Sequence, residues 1–150
     1  MKLLVTGGLG FIGSNFILKI LEEDKDIEII NIDAELYGSD HGNLSQIENS
    51  NRYEFFKGNI SNKKFMEEQI TKCDAVVNFA AESHVDRSIS DANPFLVSNI
   101  RGAFTILDII TKQKKRMVQI STDEVFGSLI QGTADEKTKF NPSSPYAATK

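Results

Sequence analysis

Residues 5–15 read VTGGLGFIGSN, and this stretch decides the fold. Gly8, Gly10 and Gly13 fit the spacing G-x-G-x-x-G, and a pattern that begins at Gly7 fits G-x-x-G-x-x-G. An apolar run precedes the glycines and a segment of helical periodicity follows them, which is the strand–turn–helix context of a dinucleotide-binding turn. The early glycines permit a tight turn, a bare backbone at Gly10 lets a pyrophosphate approach, and Gly13 lets the helix pack closely on the sheet.

An acidic residue lies at the distance from the glycines at which dinucleotide-binding turns have a ribose-binding carboxylate. Asp33 follows Gly13 by 20 residues, at the end of the second apolar run. Its carboxylate would accept hydrogen bonds from a ribose 2′-hydroxyl, whereas a 2′-phosphate would face a negative charge, so the sequence favours NAD over NADP. The alternative is a glycine-rich turn that binds no ligand.

The rest of the chain alternates short apolar runs with segments of helical periodicity. The predicted strands are 2–7, 27–33, 53–60, 74–81 and 116–122, and the predicted helices are 11–23, 62–70 and 94–113. Residues 34–52 show the least pattern and predict a loop with a short helix. This alternation predicts an α/β fold, a doubly wound parallel sheet (Rossmann-like) in the order 3-2-1-4-5, truncated after strand five and the start of the following helix. Ligands of such sheets bind beyond the carboxyl ends of the strands.

Composition narrows the function classes. The 150 residues correspond to about one domain, and the net charge of −4 argues against a nucleic-acid partner. Cys73 is the only cysteine and the two histidines are far apart, so we expect no disulfide framework and no metal site. The N-terminal apolar run is too short for a signal peptide or a membrane span, so we expect no membrane partner and a cytoplasmic location.

The stretch ISTDEVFG, residues 120–127, lies where the fifth predicted strand ends. It places a hydroxyl, Thr122, before two adjacent carboxylates, Asp123 and Glu124. Such a pair can divide the roles of acid and base if burial separates their proton affinities. The equally weighted alternative is a polar loop that caps the next segment.

The stretch NPSSPYAATK places Tyr146 and Lys150 one helical turn apart. Ser143 or Ser144 can cap this helix, and Pro145 suits its first turn. A nearby ammonium stabilises a phenolate, and a phenolate beside a nicotinamide can take a proton from a carbinol while hydride leaves. The alternative is an ordinary surface Tyr and Lys on a helix.

The stretch FAAESHVDRSIS follows the fourth predicted strand. Small side chains at Ala80 and Ala81 would let a cofactor lie close to the backbone. Ser83 and His84 offer polar groups to a ligand, although His84 has the alternative of packing within the loop.

Taken together, VTGGLGFIGSNF, AAESHVDRSI, STDEVFG and NPSSPYAATK resemble the extended short-chain dehydrogenase/reductase family, and within it the 4,6-dehydratase branch that acts on dTDP-glucose. This resemblance implies that Tyr146 deprotonates the sugar 4-hydroxyl while NAD takes hydride from C4, with Lys150 holding the nicotinamide ribose. It implies that Thr122 hydrogen-bonds the oxygen at C4. Glu124 would then remove the C5 proton, Asp123 would protonate the departing 6-hydroxyl, and hydride would return to C6.

The resemblance also implies a set of binding residues. Ser83 and Thr122 would contact the nucleotide-sugar substrate. The implied cofactor contacts are Gly7, Gly10, Phe11, Ile12, Gly13, Asp33, Asn59, Ile60, Ala80, Ala81, Ser98, Tyr146 and Lys150. Asn59 stands where the family usually has aspartate beside the adenine, and its amide oxygen can still accept the adenine amino hydrogen, so we expect weakened rather than lost binding.

Members of this family are roughly twice as long, with a sugar-nucleotide domain after the dinucleotide domain. The resemblance therefore implies that residues 1–150 are an incomplete NAD-binding Rossmann domain whose C-terminal substrate domain is absent, and we expect this chain alone to turn over little or nothing. A homodimer of the full-length form would pair through the helix 94–113 and the helix near Tyr146. Two other interpretations stay open, a sugar-nucleotide epimerase of the same superfamily and a non-catalytic NAD-binding module or inert remnant.

Overall fold

The computed structural model describes residues 1–150 as one five-stranded parallel sheet with helices on both faces. The strands are β1 Lys2–Thr6, β2 Glu28–Asp33, β3 Tyr53–Lys57, β4 Ala75–Asn78 and β5 Arg116–Gln119. The α-helices are α1 Phe11–Glu23, α2 Lys63–Thr71, α3 Val85–Ser90, α4 Asn93–Phe95, α5 Ala103–Gln113 and α6 Pro145–Thr149. Two 3₁₀ helices, His41–Ile47 and Asp123–Phe126, and a π-helical turn, Leu96–Gly102, complete the structure.

The strand order is β3-β2-β1-β4-β5, so the predicted order is confirmed. Thr6 at the end of β1 pairs with Ile32 of β2 on one side and with Asn78 of β4 on the other. The carboxyl ends of the neighbouring strands therefore meet at one edge of the sheet, which is where this fold binds ligands. β5 pairs with β4 alone and forms an edge of the sheet.

Successive residues of the central strand supply two cores, because side chains alternate across a strand. Leu4 faces α2 and α5, where it packs in a cluster with Met66 and Ile106. Leu3 and Val5 face α1 and pack in the second cluster. The sheet is thus covered on both faces, as parallel sheets require, and the helices fix where its carboxyl-end loops lie.

Strands β3, β4 and β5 end earlier than the sequence predicts. The predicted 53–60, 74–81 and 116–122 become Tyr53–Lys57, Ala75–Asn78 and Arg116–Gln119. Residues 58–60, 79–81 and 120–121 leave the sheet and line a cleft instead.

Two helical regions differ from the sequence prediction. The predicted helix 94–113 is interrupted by the π-helical turn Leu96–Gly102, a wider turn of the kind often found at functional sites. Gly102 closes this turn against Ile60, since a Cβ on Gly102 would come within 2.5 Å of the Ile60 side chain. The helix α3 was not predicted, because six residues are too few to show a helical period.

The helices present are all too short or too polar to cross a bilayer. No group of three or more histidine, cysteine or acidic side chains is arranged to hold a metal ion.

Candidate active site

A cleft of about 400 Å³ opens at the carboxyl ends of the strands. It contains every residue that the sequence predicts for cofactor binding, together with Ser83. These are Gly7, Gly10, Phe11, Ile12, Gly13, Asp33, Asn59, Ile60, Ala80, Ala81, Ser98, Tyr146 and Lys150. Thr122, Asp123 and Glu124 are not among the lining residues, although Ser121 is.

The glycine-rich turn forms one wall of the cleft, and its glycines are required by space. Gly7 has a φ of 71°, and a Cβ there would come within 2.6 Å of the Ala80 backbone nitrogen. A Cβ on Gly13 would lie 2.4 Å from the carbonyl oxygen of Gly7. Gly10, at the start of α1, would meet only the Gly7 oxygen at 3.4 Å. Its backbone is therefore open to a ligand, and the free N–H groups of the first turn of α1 are available to a phosphate.

We expect Gly7→Ala to lower the free energy of unfolding by about 2–4 kcal/mol, because it adds a backbone clash to an unfavourable left-handed conformation. Gly132 is a matched control, since its φ is 79° and nothing lies within 4 Å of a Cβ there. Gly132→Ala should cost only about 1 kcal/mol, the conformational part alone. Urea denaturation measures both values, and equal losses would show that the contact with Ala80 does not matter.

Asp33 is buried at the end of β2 and its carboxylate is held by three donors. Oδ2 accepts the backbone N–H of Leu9 at 3.0 Å. Oδ1 accepts the N–H of Glu35 at 2.9 Å and the hydroxyl of Ser39 at 2.7 Å. A carboxylate offers about four acceptor positions, so a position remains for a ribose hydroxyl. The surrounding donors fix the direction in which that position points.

Asn59 is oriented differently from the sequence expectation. Its Oδ1 already accepts two hydrogen bonds from Ser61, from the backbone N–H at 2.9 Å and from the hydroxyl at 2.8 Å. The oxygen that was expected to accept an adenine amino hydrogen is therefore occupied by a local turn. The amide NH₂ of Asn59 is the group left to face a base, and an amide NH₂ only donates hydrogen bonds.

Asn99, which sequence reasoning missed, ties three segments together beside the cleft. It is buried in the π-helical turn, and its Oδ1 accepts the N–H of Glu82 at 2.8 Å. Its Nδ2 donates to the Glu82 carbonyl at 3.0 Å and to the Thr149 hydroxyl at 3.0 Å. Asn99 thereby fixes the loop after β4 against the helix that carries Tyr146. No local signal distinguished it, because Ser98 and Arg101 beside it are polar as well.

We expect Asn99→Ala to lower the free energy of unfolding by about 2–3 kcal/mol, because it leaves both polar backbone groups of Glu82 without their partner. Asn49→Ala is the control, since Asn49 is exposed and should change stability by less than about 0.5 kcal/mol. Thermal and urea unfolding measure the difference. A loss at Asn99 no larger than at Asn49 would show that the hydrogen bonds of Asn99 do not stabilise this site.

Tyr146 of α6 and Lys150, the residue that follows this helix, both line the cleft. Ser144 caps this helix through the N–H of Ala147, so the predicted cap is Ser144 rather than Ser143. The Tyr146 ring is buried edge-on to Phe95 at 6.3 Å between ring centres, and no protein atom hydrogen-bonds its hydroxyl. Its hydroxyl is therefore available to a ligand.

Lys150 closes the cleft at the end of β5. Its ammonium donates to the carbonyl oxygen of Ile120 at 2.7 Å. Burial lowers the pKa of Lys150, because the charged form loses hydration there. The lysine thus joins the end of α6 to the residue that follows β5, in the same cleft as Tyr146.

The two adjacent carboxylates, at positions 123 and 124, are outside the lining of the cleft and follow Ser121 at its rim. Thr122 accepts the N–H of Glu124 at 3.3 Å and so begins the 3₁₀ helix Asp123–Phe126. Asp123 and Glu124 are both exposed, and the burial that would separate an acid from a base is not supplied by these 150 residues. The capping interpretation of this stretch therefore describes Thr122. Its hydroxyl also donates to Asp123 Oδ1 at 3.3 Å, whereas no protein atom hydrogen-bonds the Glu124 carboxylate.

Ser83 and His84, in the loop after β4, have different surroundings. Ser83 lines the cleft. The His84 ring packs edge-on to Tyr37, with 6.2 Å between ring centres, which corresponds to the loop-packing alternative.

A parallel sheet with a glycine-rich first turn and a cleft at its carboxyl edge defines the doubly wound α/β class, whose members bind nucleotides at this place. Residues 4–150 match the family model described as GDP-mannose 4,6 dehydratase, and the chain belongs to that family.

Known proteins agree with this assignment over the whole chain. A dTDP-glucose 4,6-dehydratase of Mycobacterium tuberculosis is 42% identical over 153 aligned residues, which cover 100% of this chain and 46% of that protein. The chain thus spans about half the length of the curated relatives it matches. The crystal structure of DesIV, a dTDP-glucose 4,6-dehydratase from Streptomyces venezuelae with NAD and TYD bound, superposes with a TM-score of 0.95 at 41% identity, over 100% of this chain and 48% of DesIV. A UDP-glucose 4-epimerase of Thermotoga maritima, with UDP-glucose, superposes at 0.87 with 26% identity, over 100% of this chain and 48% of the epimerase.

Proposed function

We propose that the full-length protein is an NAD-dependent nucleotide-sugar dehydratase that converts dTDP-glucose to dTDP-4-keto-6-deoxyglucose. The observation that supports the proposal is a cleft with two carboxylates close to it. The glycine-rich turn and the Tyr146–Lys150 pair line the cleft, and the 3₁₀ helix that carries the carboxylates at 123–124 follows Ser121 of that cleft and lies against α6. A simple oxidation would need the first two, whereas an elimination also needs an acid and a base.

The residues of the cleft fit NAD. The open backbone at Gly10 and the first turn of α1 suit a pyrophosphate, and the remaining acceptor position of Asp33 suits a ribose hydroxyl. Ala80 and Ala81 are small enough to let a ring approach the end of β4. When bound, NAD supplies the hydride acceptor for C4 of the sugar and later the hydride donor for C6.

Tyr146 takes the proton from the sugar 4-hydroxyl in this proposal. Its hydroxyl is free of protein partners, so it can hydrogen-bond the substrate oxygen directly. Lys150 favours the phenolate through its charge and hydrogen-bonds the nicotinamide ribose. Thr122 hydrogen-bonds the oxygen at C4, and Ser83 contacts the substrate from the loop after β4.

Elimination of water falls to the two carboxylates. Oxidation at C4 acidifies the C5 proton, which Glu124 removes as the base. Asp123 protonates the 6-hydroxyl as it departs. Because both side chains are exposed in the 150-residue chain, we propose that the substrate and the rest of the full-length protein bury them and set their roles apart.

We further propose that residues 1–150 are the NAD-binding part of the protein and that a substrate domain follows it. The chain alone would then bind NAD but turn over little sugar. A homodimer is proposed for the full-length form, since Val97, Ile100, Phe104 and Leu107 leave an exposed apolar stripe on the long helix. The single buried cysteine suits a reducing compartment, and we propose the cytoplasm.

Incubation of the full-length protein with dTDP-glucose and NAD tests the function. The 4-keto-6-deoxy product is detected by its absorbance in alkali. Formation of dTDP-galactose instead would replace the proposal with an epimerase, and NAD binding without turnover of either kind would replace it with a non-catalytic module.

A further inference from the structure

The edge of the cleft beside Asp33 carries a second set of charges. Asp33 on β2 is in register with Lys57 on β3. Partners in a parallel ladder point to the same face of the sheet, and neighbouring strands lie about 4.8 Å apart. Gly58, which follows Lys57, lines the cleft. A lysine therefore stands next to the carboxylate that is proposed to face the adenosine ribose.

This lysine is already paired. The carboxylate of Glu35 forms an ion pair with the Lys57 ammonium, and its Oε1 lies 2.7 Å from Nε2 of His41. Glu35 has a φ of 54°, a left-handed conformation that few non-glycine residues adopt. Its N–H is bound to Asp33 Oδ1, so the same turn presents Asp33 to the cleft and Glu35 to Lys57. Hydrogen bonds from Lys57 and then His41 lower the pKa of the Glu35 carboxyl, which keeps it charged.

A nucleotide phosphate at the ribose 2′ position would bring about −1.5 to −2 charges to this edge. Lysine binds phosphate as a point charge on a flexible stem, and Lys57 is largely exposed and within one strand of Asp33. Glu35 neutralises it. Among the residues that line the cleft, Lys150 is the only lysine or arginine, and it is bound to Ile120 at the other end. No unpaired lysine or arginine therefore faces the ribose edge.

We propose that Glu35 is a second specificity-determining residue for NAD over NADP, which acts by holding the Lys57 ammonium away from the ribose 2′ position. The inference rests on the proposed NAD-binding function and extends it, because sequence reasoning assigned this choice to Asp33 alone. Two carboxylates then act against NADP in different ways, since Asp33 repels a phosphate and Glu35 withholds the nearest lysine.

The test measures the dissociation constants of NAD and NADP by calorimetry in the full-length protein after removal of bound nucleotide. Glu35→Gln should raise the affinity for NADP relative to NAD by about tenfold, because one negative charge is removed and one positive charge is freed. The gain should be lost in the Glu35→Gln/Lys57→Gln double variant. It should also shrink between about 0.05 and 0.5 M salt, since exposed charges are screened.

Glu54→Gln is the matched control. Glu54 also lies on β3 and pairs with a lysine, Lys2, at 2.9 Å, but it is in register with Ile30, three positions before the Asp33–Lys57 pair. Its replacement should leave the NADP/NAD ratio unchanged. Glu35→Asn is a second variant for the same test, because asparagine tolerates the left-handed backbone and its short neutral side chain removes the ion pair.

The outcomes separate the two proposals. Unchanged ratios in both Glu35 variants, with NAD binding intact, overturn the inference alone. A gain that survives in the double variant assigns the effect to another group and overturns it as well. Failure of the parent protein to bind NAD overturns the proposed function and the inference with it.

Discussion

Replacement of Glu124 by Gln in the full-length protein is expected to lower the rate of 4-keto-6-deoxy sugar formation by about 100-fold or more, while oxidation at C4 continues. Glutamine keeps the size of the side chain but cannot accept the C5 proton. The side chain is exposed at the start of a 3₁₀ helix, so the substitution should not disturb the fold.

Two measurements separate the steps. Product is followed by its absorbance in alkali, and oxidation at C4 by the absorbance of reduced nicotinamide in a single turnover. Glu136→Gln is the control, because Glu136 is an exposed glutamate outside the cleft, and it should leave both rates unchanged. If Glu124→Gln forms product at the parent rate, the base is another group and the role given to Glu124 is wrong.

Tyr146→Phe should have the other large effect, a fall of about 100- to 10,000-fold in oxidation at C4 and therefore in product. The substitution removes only the hydroxyl. Because no protein atom hydrogen-bonds that hydroxyl and the ring remains packed against Phe95, the free energy of unfolding should change by less than about 1 kcal/mol.

Tyr53→Phe provides the reciprocal control. The Tyr53 hydroxyl accepts a buried hydrogen bond from Asn31 at 2.9 Å, far from the proposed chemistry. Its loss should cost about 1–2 kcal/mol of stability with little change in the rate per folded molecule. If Tyr146→Phe and the parent oxidise C4 at comparable rates, Tyr146 does not take the proton, whatever the free energies of unfolding of the two proteins.

Most of the features that were predicted from the sequence are indicated by patterns of residues close together in the chain. The glycine spacing identified the first turn, and the alternation of apolar runs with helical periods identified the sheet and its strand order. The N-cap at Ser144 followed from residue types adjacent in the chain. The glycine spacing and the cap depend on residues within about two helical turns of one another, a range over which sequence patterns are informative, and the strand order followed from the fold class that the alternation indicates.

The features that it missed depend on contacts between distant segments. Asn99 joins Glu82 to Thr149, which are separated by 67 positions in the chain, and neither partner has a local signature. The pairing of Glu35 with Lys57 requires that β2 and β3 be adjacent and in register. The amide oxygen of Asn59 was assigned to a base because the competing donors of Ser61 belong to a turn that the sequence did not reveal.

The burial of Asp123 and Glu124 could not be predicted from the sequence for a different reason. Their place at a strand end was predicted, but their burial depends on what covers the rim of the cleft. Within the 150 residues nothing does, so sequence reasoning could name the pair without fixing the environment in which it would act.

The middle position of β1 has a consequence for synthesis of the chain. β1 leaves the ribosome before its two neighbours in the sheet, β2 and β4, and Thr6 of β1 pairs with Asn78, which is made 72 positions later. At roughly 5–20 residues per second, the growing chain carries this apolar strand half-paired for about 4–14 s. During translation, α1 and β2 can shield one side of β1, whereas its other edge stays open to chaperones or to a neighbouring nascent chain until β4 arrives.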